Sequence, residues 1–332
     1  MDESRYHVRP FRDDDFETAS RINTLLNPDF PVTADEIRHW DRLFREPNLV
    51  KLDFIVEERS SGAGVARASI YHVPEMFHPH RFWVEIEVDP GHQHRGIGRA
   101  LSERLQELAR ARSVEILWAS VRADDLRSVQ FFERAGFVER RRRWMSRLSL
   151  DIPPPVTGEP RSKGFPPEVT FTTLAEEGAD RREVRERVYR LDLAASEDEP
   201  RMDRQTEISF EQYAAIRFQG PGFLPEAVFL ARAGDEYVAM STLHPQPAEP
   251  TVLVVGFTGT LPRCRGRGLA SELKRRAVEF ARARGYRYLQ TFNDSENPPI
   301  WAINQRLGFQ IQRVWITGEK KFAPEPGSSP TP

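Results

Sequence analysis

The chain says one thing twice. Asp89-Pro90-Gly91-His92-Gln93-His94-Arg95-Gly96-Ile97-Gly98-Arg99-Ala100-Leu101 and Leu261-Pro262-Arg263-Cys264-Arg265-Gly266-Arg267-Gly268-Leu269-Ala270 are two versions of one glycine-rich turn, 172 residues apart. Each is followed by a Gly-Phe pair: Gly136-Phe137 lies 40 residues after Gly96, and Gly308-Phe309 lies 40 residues after Gly268. A period this long marks a duplicated domain, not a solenoid unit. The 332 residues leave room for about two domains, each with its own core. The fold must therefore be two copies of one topology. Residues 151–167 hold Pro153-Pro154-Pro155, Pro160 and Pro166-Pro167 and predict a stiff, extended linker. The expected layout is a first domain over 1–150, the linker, a second domain over 168–322 and a disordered tail over 323–332.

Periodicity supports the duplication. Residues 6–9, 52–58, 64–71, 82–88 and 114–121 read as strands of the first half, and Phe137 opens another. Helices are expected from a cap at Asp13 or Asp14 to Leu26, over 33–44, after the glycine turn with Leu101, Leu105 and Leu108 on one face, and over 128–134. The second half repeats the order, with strands at 169–174, 227–233, 236–243, 251–260 and 286–292. Its helices are expected at 180–193, 209–218, after the second turn and at 300–306, with a polar, acidic insertion at 196–207.

Bulk properties narrow the classes. The balance of 48 basic and 50 acidic residues gives no pull toward nucleic acid or an anionic membrane. One cysteine, Cys264, excludes a disulfide framework and fits a reducing compartment. No apolar run reaches the roughly 20 residues of a membrane span, and residues 1–20 hold no apolar signal segment. A cytoplasmic protein with no nucleic-acid or membrane partner is expected. His72, His78 and His80 have no companion cluster at metal-ligand spacing, so no metal is expected.

The glycine turns decide the chemistry. Neither has the Gly-x-x-x-x-Gly-Lys-Ser/Thr of a P-loop. The third glycine of a dinucleotide fingerprint is replaced by Leu101 in one copy and Ser271 in the other, and three strands and two helices come before the strand that leads into each turn, where the fingerprint needs its strand near the domain start. What remains is Gln93-x-x-Gly96-x-Gly98 and Arg265-x-x-Gly268-x-Ala270, each between an apolar strand and an amphipathic helix. Small residues let the backbone approach a pyrophosphate, and the free amides at the positive helix end bind it without a metal.

This pattern resembles the acyl-CoA loop of the GNAT acetyltransferase superfamily, over residues 5–150 and 168–318. The tandem arrangement is similar to that of mycothiol synthases. The resemblance implies an α/β (α+β) fold of two tandem domains, each a mixed, mainly antiparallel sheet flanked by helices. It implies acetyl-CoA as cofactor, held in copy one by Val88, Gln93, His94, Arg95, Gly96, Ile97, Gly98 and Arg99. In copy two the matching set is Thr260, Leu261, Arg265, Gly266, Arg267, Gly268, Leu269 and Ala270, with Asn297 further on.

Direct attack by an amine on the thioester needs a proton acceptor, and no nucleophilic side chain. Glu85 and Glu87 alternate on one strand face and are the candidate bases; a solvated strand face is the competing reading. Copy two has Gly256, Phe257, Thr258 and Gly259 there, so its base must come from elsewhere, with Glu226 or the acidic cluster Glu197, Asp198 and Glu199 as possibilities. The tyrosine that commonly protonates the thiolate in this family is replaced by Phe132 in copy one and Asn304 in copy two. Phe cannot donate, and an amide is a poor acid. The expected activity is N-acetyl transfer from acetyl-CoA to a primary amine of a small molecule, with copy two favoured for the cofactor. The alternatives are a non-catalytic acyl-CoA sensor and a protein or peptide acetyltransferase. The acceptor and the oligomeric state are not legible, because acceptor pockets are built from variable loops.

Overall fold

The computed structural model describes residues 1–152, 168–220 and 222–322. Most of the expected linker and the expected tail lie outside the described residues. The first half runs β1 (Tyr6–Pro10), α1 (Phe16–Leu26), α2 (Ala34–Leu43), β2 (Lys51–Glu58), β3 (Gly64–Tyr71), β4 (Arg81–Val88), α3 (Ile97–Arg110), β5 (Ile116–Arg122), α4 (Leu126–Arg134) and β6 (Val138–Ser149). The second runs β7 (Val169–Thr173), α5 (Leu174–Glu177), α6 (Arg182–Ser196), α7 (Phe210–Phe218), β8 (Val228–Ala233), β9 (Glu236–Pro245), β10 (Val252–Thr260), α8 (Leu269–Ala283), β11 (Tyr288–Asp294), α9 (Pro298–Leu307) and β12 (Gln310–Lys321).

Local chemistry explains most boundaries. Thr33 and Glu36 close a capping box on α2, as Ser209 and Gln212 do on α7. Asp125 caps α4 by accepting from the amides of Arg127 and Ser128, which starts that helix earlier than the predicted Ser128. Neither Asp13 nor Asp14 caps α1. The N-cap is Asp15, whose carboxylate instead accepts from Arg9 at 2.6 and 2.7 Å and from the Arg12 amide at 2.7 Å. A buried guanidinium outcompetes a helix end for the same oxygens.

The chain forms two compact units. Among the described residues, unit 1 is Met1–Arg141 with Asp203–Thr206 and residues 315–322; unit 2 is Arg142–Met202 with Glu207–Val314. In unit 1 the strands β1 to β4 pair antiparallel in sequence order, β5 joins β4 parallel, and Trp315–Lys321 of β12 pairs antiparallel with β5. In unit 2 the strands β7 to β10 repeat the antiparallel order, β11 joins β10 parallel, and residues 143–149 of β6 pair antiparallel with β11. Each half of the sequence thus lends its last strand to the other half's sheet. Gly318 shows how closely β12 passes in unit 1: a Cβ there would lie 2.5 Å from Phe132 Cζ and nearer still to the Val138 carbonyl oxygen. Lys320 fastens the same segment, donating to Gln106 Oε1 at 2.5 Å and to the Ala135 carbonyl at 2.7 Å.

The segment Asp203–Thr206 also belongs to unit 1. Arg81 grips both Asp203 oxygens at 2.7 Å, and the Thr206 amide donates to the Glu75 carbonyl. Ile97, Leu101 and Leu105 of α3 are buried in the core of unit 1, as Leu269, Leu273 and Ala277 of α8 are in unit 2. These stripes fix where each helix starts relative to the sheet.

Candidate functional site

Both units open at the same place. The parallel ladder between β4 and β5 runs only from Arg81↔Ile116 to Trp83↔Trp118, while β4 continues to Val88 paired with β3 alone. The ladder between β10 and β11 runs from Val252↔Tyr288 to Val255↔Thr291, and β10 continues to Thr260 paired with β9 alone. Beyond the fork neither strand pairs with a second neighbour among the described residues, and that open edge can take a ligand's amides.

A glycine turn closes each fork. After a 3₁₀ turn, copy one has left-handed backbone at His94 (φ 61°) and Gly96 (φ 77°); copy two has it at Gly266 (φ 73°) and Gly268 (φ 83°). Gly96 and Gly268 are the N-caps of α3 and α8, and neither helix has a side-chain cap. The first-turn amides are therefore left for an anion, with the helix dipole behind them. Gly98 has room to spare: a Cβ there would be 3.9 Å from both Phe131 and Val88, so Ala270 fits the matching place.

The side chains divide the labour. Gln93 donates to the Val88 carbonyl at 3.2 Å, and Arg265 donates to the Thr260 carbonyl at 3.1 Å. The first motif residue is thus a brace from turn to strand end in both copies. Arg265 also pairs with Asp198 and reaches the Ala195 carbonyl, so its charge is already engaged. Arg95 is held by Tyr6 Oη and the Gly91 carbonyl, Arg99 pairs with Glu103, and the His94 ring meets Arg127 at 2.9 Å. Arg267 is exposed. Ile97, Leu261 and Leu269 point into the cores, leaving only their backbone to the turn.

Glu85 and Glu87 have different surroundings. Glu85 is exposed and accepts from Tyr71 Oη at 2.6 Å. The Glu87 side chain is 16% exposed, accepts from Asn23 Nδ2 at 3.0 Å and faces Arg67 at 3.6 Å. Burial raises the Glu87 carboxyl above its ordinary value, with Arg67 pulling the other way. Its Oε2 and the indole N–H groups of Trp83 and Trp118 are buried without hydrogen-bond partners among the described residues.

Unit 2 carries no carboxylate on this strand. Its register with β9 slips between Val255 and Thr258, so Gly256 and Phe257 bulge where β10 leaves β11. The Phe257 ring fills the space over Gly259, where a Cβ would stand 2.5 Å from Phe257 Cε1 and 3.0 Å from Ala195 Cβ. Glu226 pairs with Arg284, just past the C-terminal end of α8 and so far from the turn. Glu199 pairs with Arg201 at 3.1 Å, and desolvation raises its pKa.

The helix after the fork differs between copies. Phe132 stacks on Phe137 at 4.9 Å. At the matching place Asn304 is wholly buried, with neither amide atom hydrogen-bonded among the described residues. Lys274, on the second turn of α8, is 3% exposed, and its Nζ lies 5.8 Å from the Phe309 ring centroid. Burial alone lowers its pKa to about 7. The sequence reading missed Lys274, although a lysine on the apolar stripe of an amphipathic helix was the available signal. Asn297 caps α9, its Oδ1 accepting from the Ile300 amide at 3.4 Å.

Among the described residues no three His, Cys, Asp or Glu are grouped to hold a metal, and no helix is long and apolar enough to cross a membrane. The model of the acetyltransferase (GNAT) family matches residues 19–137 and again 186–309. The mycothiol acetyltransferase of Geodermatophilus obscurus is 28% identical over 237 residues, covering 70% of this chain and 72% of that protein. The [ribosomal protein bS18]-alanine N-acetyltransferase of Escherichia coli K12 is 43% identical over 54 residues, so the match spans 16% of this chain and 36% of that relative. A tandem GNAT protein from the clavulanic acid biosynthesis pathway, solved without AcCoA, superposes with a TM-score of 0.72 at 21% identity, over 97% of this chain and 100% of that one. A GCN5-related N-acetyltransferase from Sphaerobacter thermophilus gives 0.68 at 18% identity, over 96% of both chains.

Proposed function

The chain belongs to the acetyltransferase (GNAT) family and is an acyltransferase, and on that premise we propose that it moves an acetyl group from acetyl-CoA to the primary amine of a small molecule. One observation carries the reading: a glycine-capped helix without a side-chain cap, set at a fork between parallel strands, twice in one chain. That arrangement fits a pyrophosphate at the helix end and an amide-bearing arm along the open strand edge. Acetyl-CoA would supply the activated acyl group. Residues Ile97 to Arg99 and Leu269 to Ser271 would offer amides to its phosphates, and the edges of 84–88 and 256–260 would hold the arm.

Unit 2 is the preferred transfer site. Its bulge frees backbone at the fork, whereas β4 keeps unbroken register with β3 and carries Trp83 beside Trp118 there. Lys274 lies against the Phe309 ring and the Asn304 carbonyl accepts from the Phe309 amide, so both buried polar groups sit on the helices that flank this fork. The relatives named mycothiol acetyltransferase match over two thirds or more of their length and support a small-molecule acceptor. The test is thiol release from acetyl-CoA with a panel of primary amines, including glucosamine and ethanolamine, and N-acetyl products identified by mass. A chain that binds acetyl-CoA but acetylates no amine would contradict the reading.

A further inference from the structure

The two units can be matched residue by residue without appeal to the spacing of the glycine turns. The Asp89 amide donates to the Val65 carbonyl at 2.9 Å, and the Leu261 amide donates to the Val238 carbonyl at 2.9 Å, so Val65 and Val238 are equivalent. Six residues on from each stand Tyr71 and His244. Cross-strand pairing agrees: Tyr71 faces Trp83, and His244 faces Val254, both near the end of the parallel ladder. Likewise Ser69 matches Thr242. Opposite Ser69 stands Glu85, and opposite Thr242 stands the bulge of Gly256 and Phe257, whose amide at Phe257 donates to Thr242 Oγ1 at 3.1 Å.

In unit 1 this corner is a carboxylate and a phenol locked together at 2.6 Å. In unit 2 the carboxylate has become Gly256 and the phenol has become an imidazole. A Cβ at residue 256 would lie 2.7 Å from Thr242 Oγ1 and 3.5 Å from His244 Nδ1, so the glycine is what lets the hydroxyl and the imidazole come up against the bulge. Gly256 lies where β10 leaves β11, and both it and His244 are open to solvent there.

We propose that His244 is the general base of unit 2, taking the proton from an acceptor amine at the exposed strand edge beside Gly256. This rests on the reading of unit 2 as an acetyl-transfer site. The steps balance. An acceptor ammonium gives one proton to the imidazole. Its lone pair then attacks the thioester carbonyl, and a C–N bond forms. The C–S bond breaks with its electrons on sulfur, and the thiolate takes the second amine proton. The products are an amide, a free thiol and an imidazolium that returns its proton to water.

The surroundings keep the ring neutral. Protein crowding around the ring lowers the His244 pKa, and Arg217 of α7 adds to the effect. Arg217 itself lies 3.9 Å from Asp192 of α6, and Glu199 shares that field with Arg143 and Arg201. Glu199 is thus the competing base, and it enters the test.

The first experiment follows histidine ring signals by NMR in the full chain as acetyl-CoA is added, with His244→Gln identifying the resonance. His244 should shift, and Gly268→Glu should abolish the shift. The second is kcat/KM against pH with acetyl-CoA and glucosamine or ethanolamine. His244→Gln should lose about 10²–10⁴-fold in rate and flatten the acid limb, while Glu199→Gln keeps both. An unmoved His244 signal with acetyl-CoA bound overturns the assignment, as does a His244→Gln variant with an unchanged pH profile. Loss confined to Glu199→Gln would transfer the role to that residue. Failure of acetyl-CoA to bind at all would instead sink the acetyl-transfer reading beneath it.

Discussion

Lys274 should make the protein less stable than it need be. Its side chain is 3% exposed, and burial alone lowers its pKa from 10.5 to about 7. An unfolded lysine binds a proton more tightly by that difference, and each pKa unit is worth about 1.4 kcal/mol. At pH 7 the cost is then on the order of 4 kcal/mol. For a base with a lowered folded pKa the penalty is full below pH 7 and is relieved as pH rises toward 10.5. Lys274→Met keeps the length of the stem and removes the charge. The variant should be more stable than the parent at pH 7 by a few kcal/mol. Urea unfolding of both proteins across pH 6 to 10 checks it, because the gap should shrink as pH rises. Exchange protection of the Leu273 and Ala277 amides reports the same change within unit 2 alone. A variant less stable than the parent, or a gap that does not change with pH, would refute the reasoning. A group this costly at the first turns of α8 is what a working site retains against stability.

Three further outcomes follow from the geometry. Gly318→Ala should cost about 3 kcal/mol or more, because its Cβ would press on Phe132 and the Val138 carbonyl; a thermal melt within a degree of the parent would contradict the close passage of β12. Glu87→Gln should leave the protein at pH 7 as stable as the parent or more so, because burial raises the Glu87 carboxyl against the pull of Arg67 and Arg67 keeps Asp53; a loss above about 1 kcal/mol by urea unfolding would show that the Arg67 contact outweighs the buried charge. Asp198→Asn should change stability by less than about 1 kcal/mol, since Asp198 is 62% exposed and Arg265 keeps its bond to Thr260; a larger loss would mean that the 196–207 segment depends on this pair.

Periodicity and the repeated turn were enough to read the element order, because both are local. Alternation marks β4, the leucine stripe marks α3, and glycines with left-handed φ mark Gly96 and Gly268. The exchange of β6 and β12 was not legible, because a strand's own pattern does not say which sheet receives it. The division of labour in the turns was hidden as well. Gln93 and Arg265 read as ligands, yet both side chains turn back to the strand end. The bulge at Gly256 and Phe257 adds one residue to β10 relative to β4, but the connection from β9 to β10 is two residues shorter than that from β3 to β4, so the 172-residue offset of the turns becomes 173 on β9. That net shift of one residue concealed the match of Tyr71 with His244. It also left copy two without a base as long as only carboxylates were sought.

The most direct test of the central claim is calorimetric titration of acetyl-CoA into the intact chain and into Gly96→Glu, Gly268→Glu and the double variant, each first checked for native circular dichroism. A carboxylate at either helix N-cap would repel the pyrophosphate and force a side chain into left-handed backbone. The account predicts binding by the parent, loss of about 100-fold or more in affinity at the substituted turn, and no binding by the double variant. Undiminished binding by the folded double variant would show that acetyl-CoA does not sit on the glycine turns.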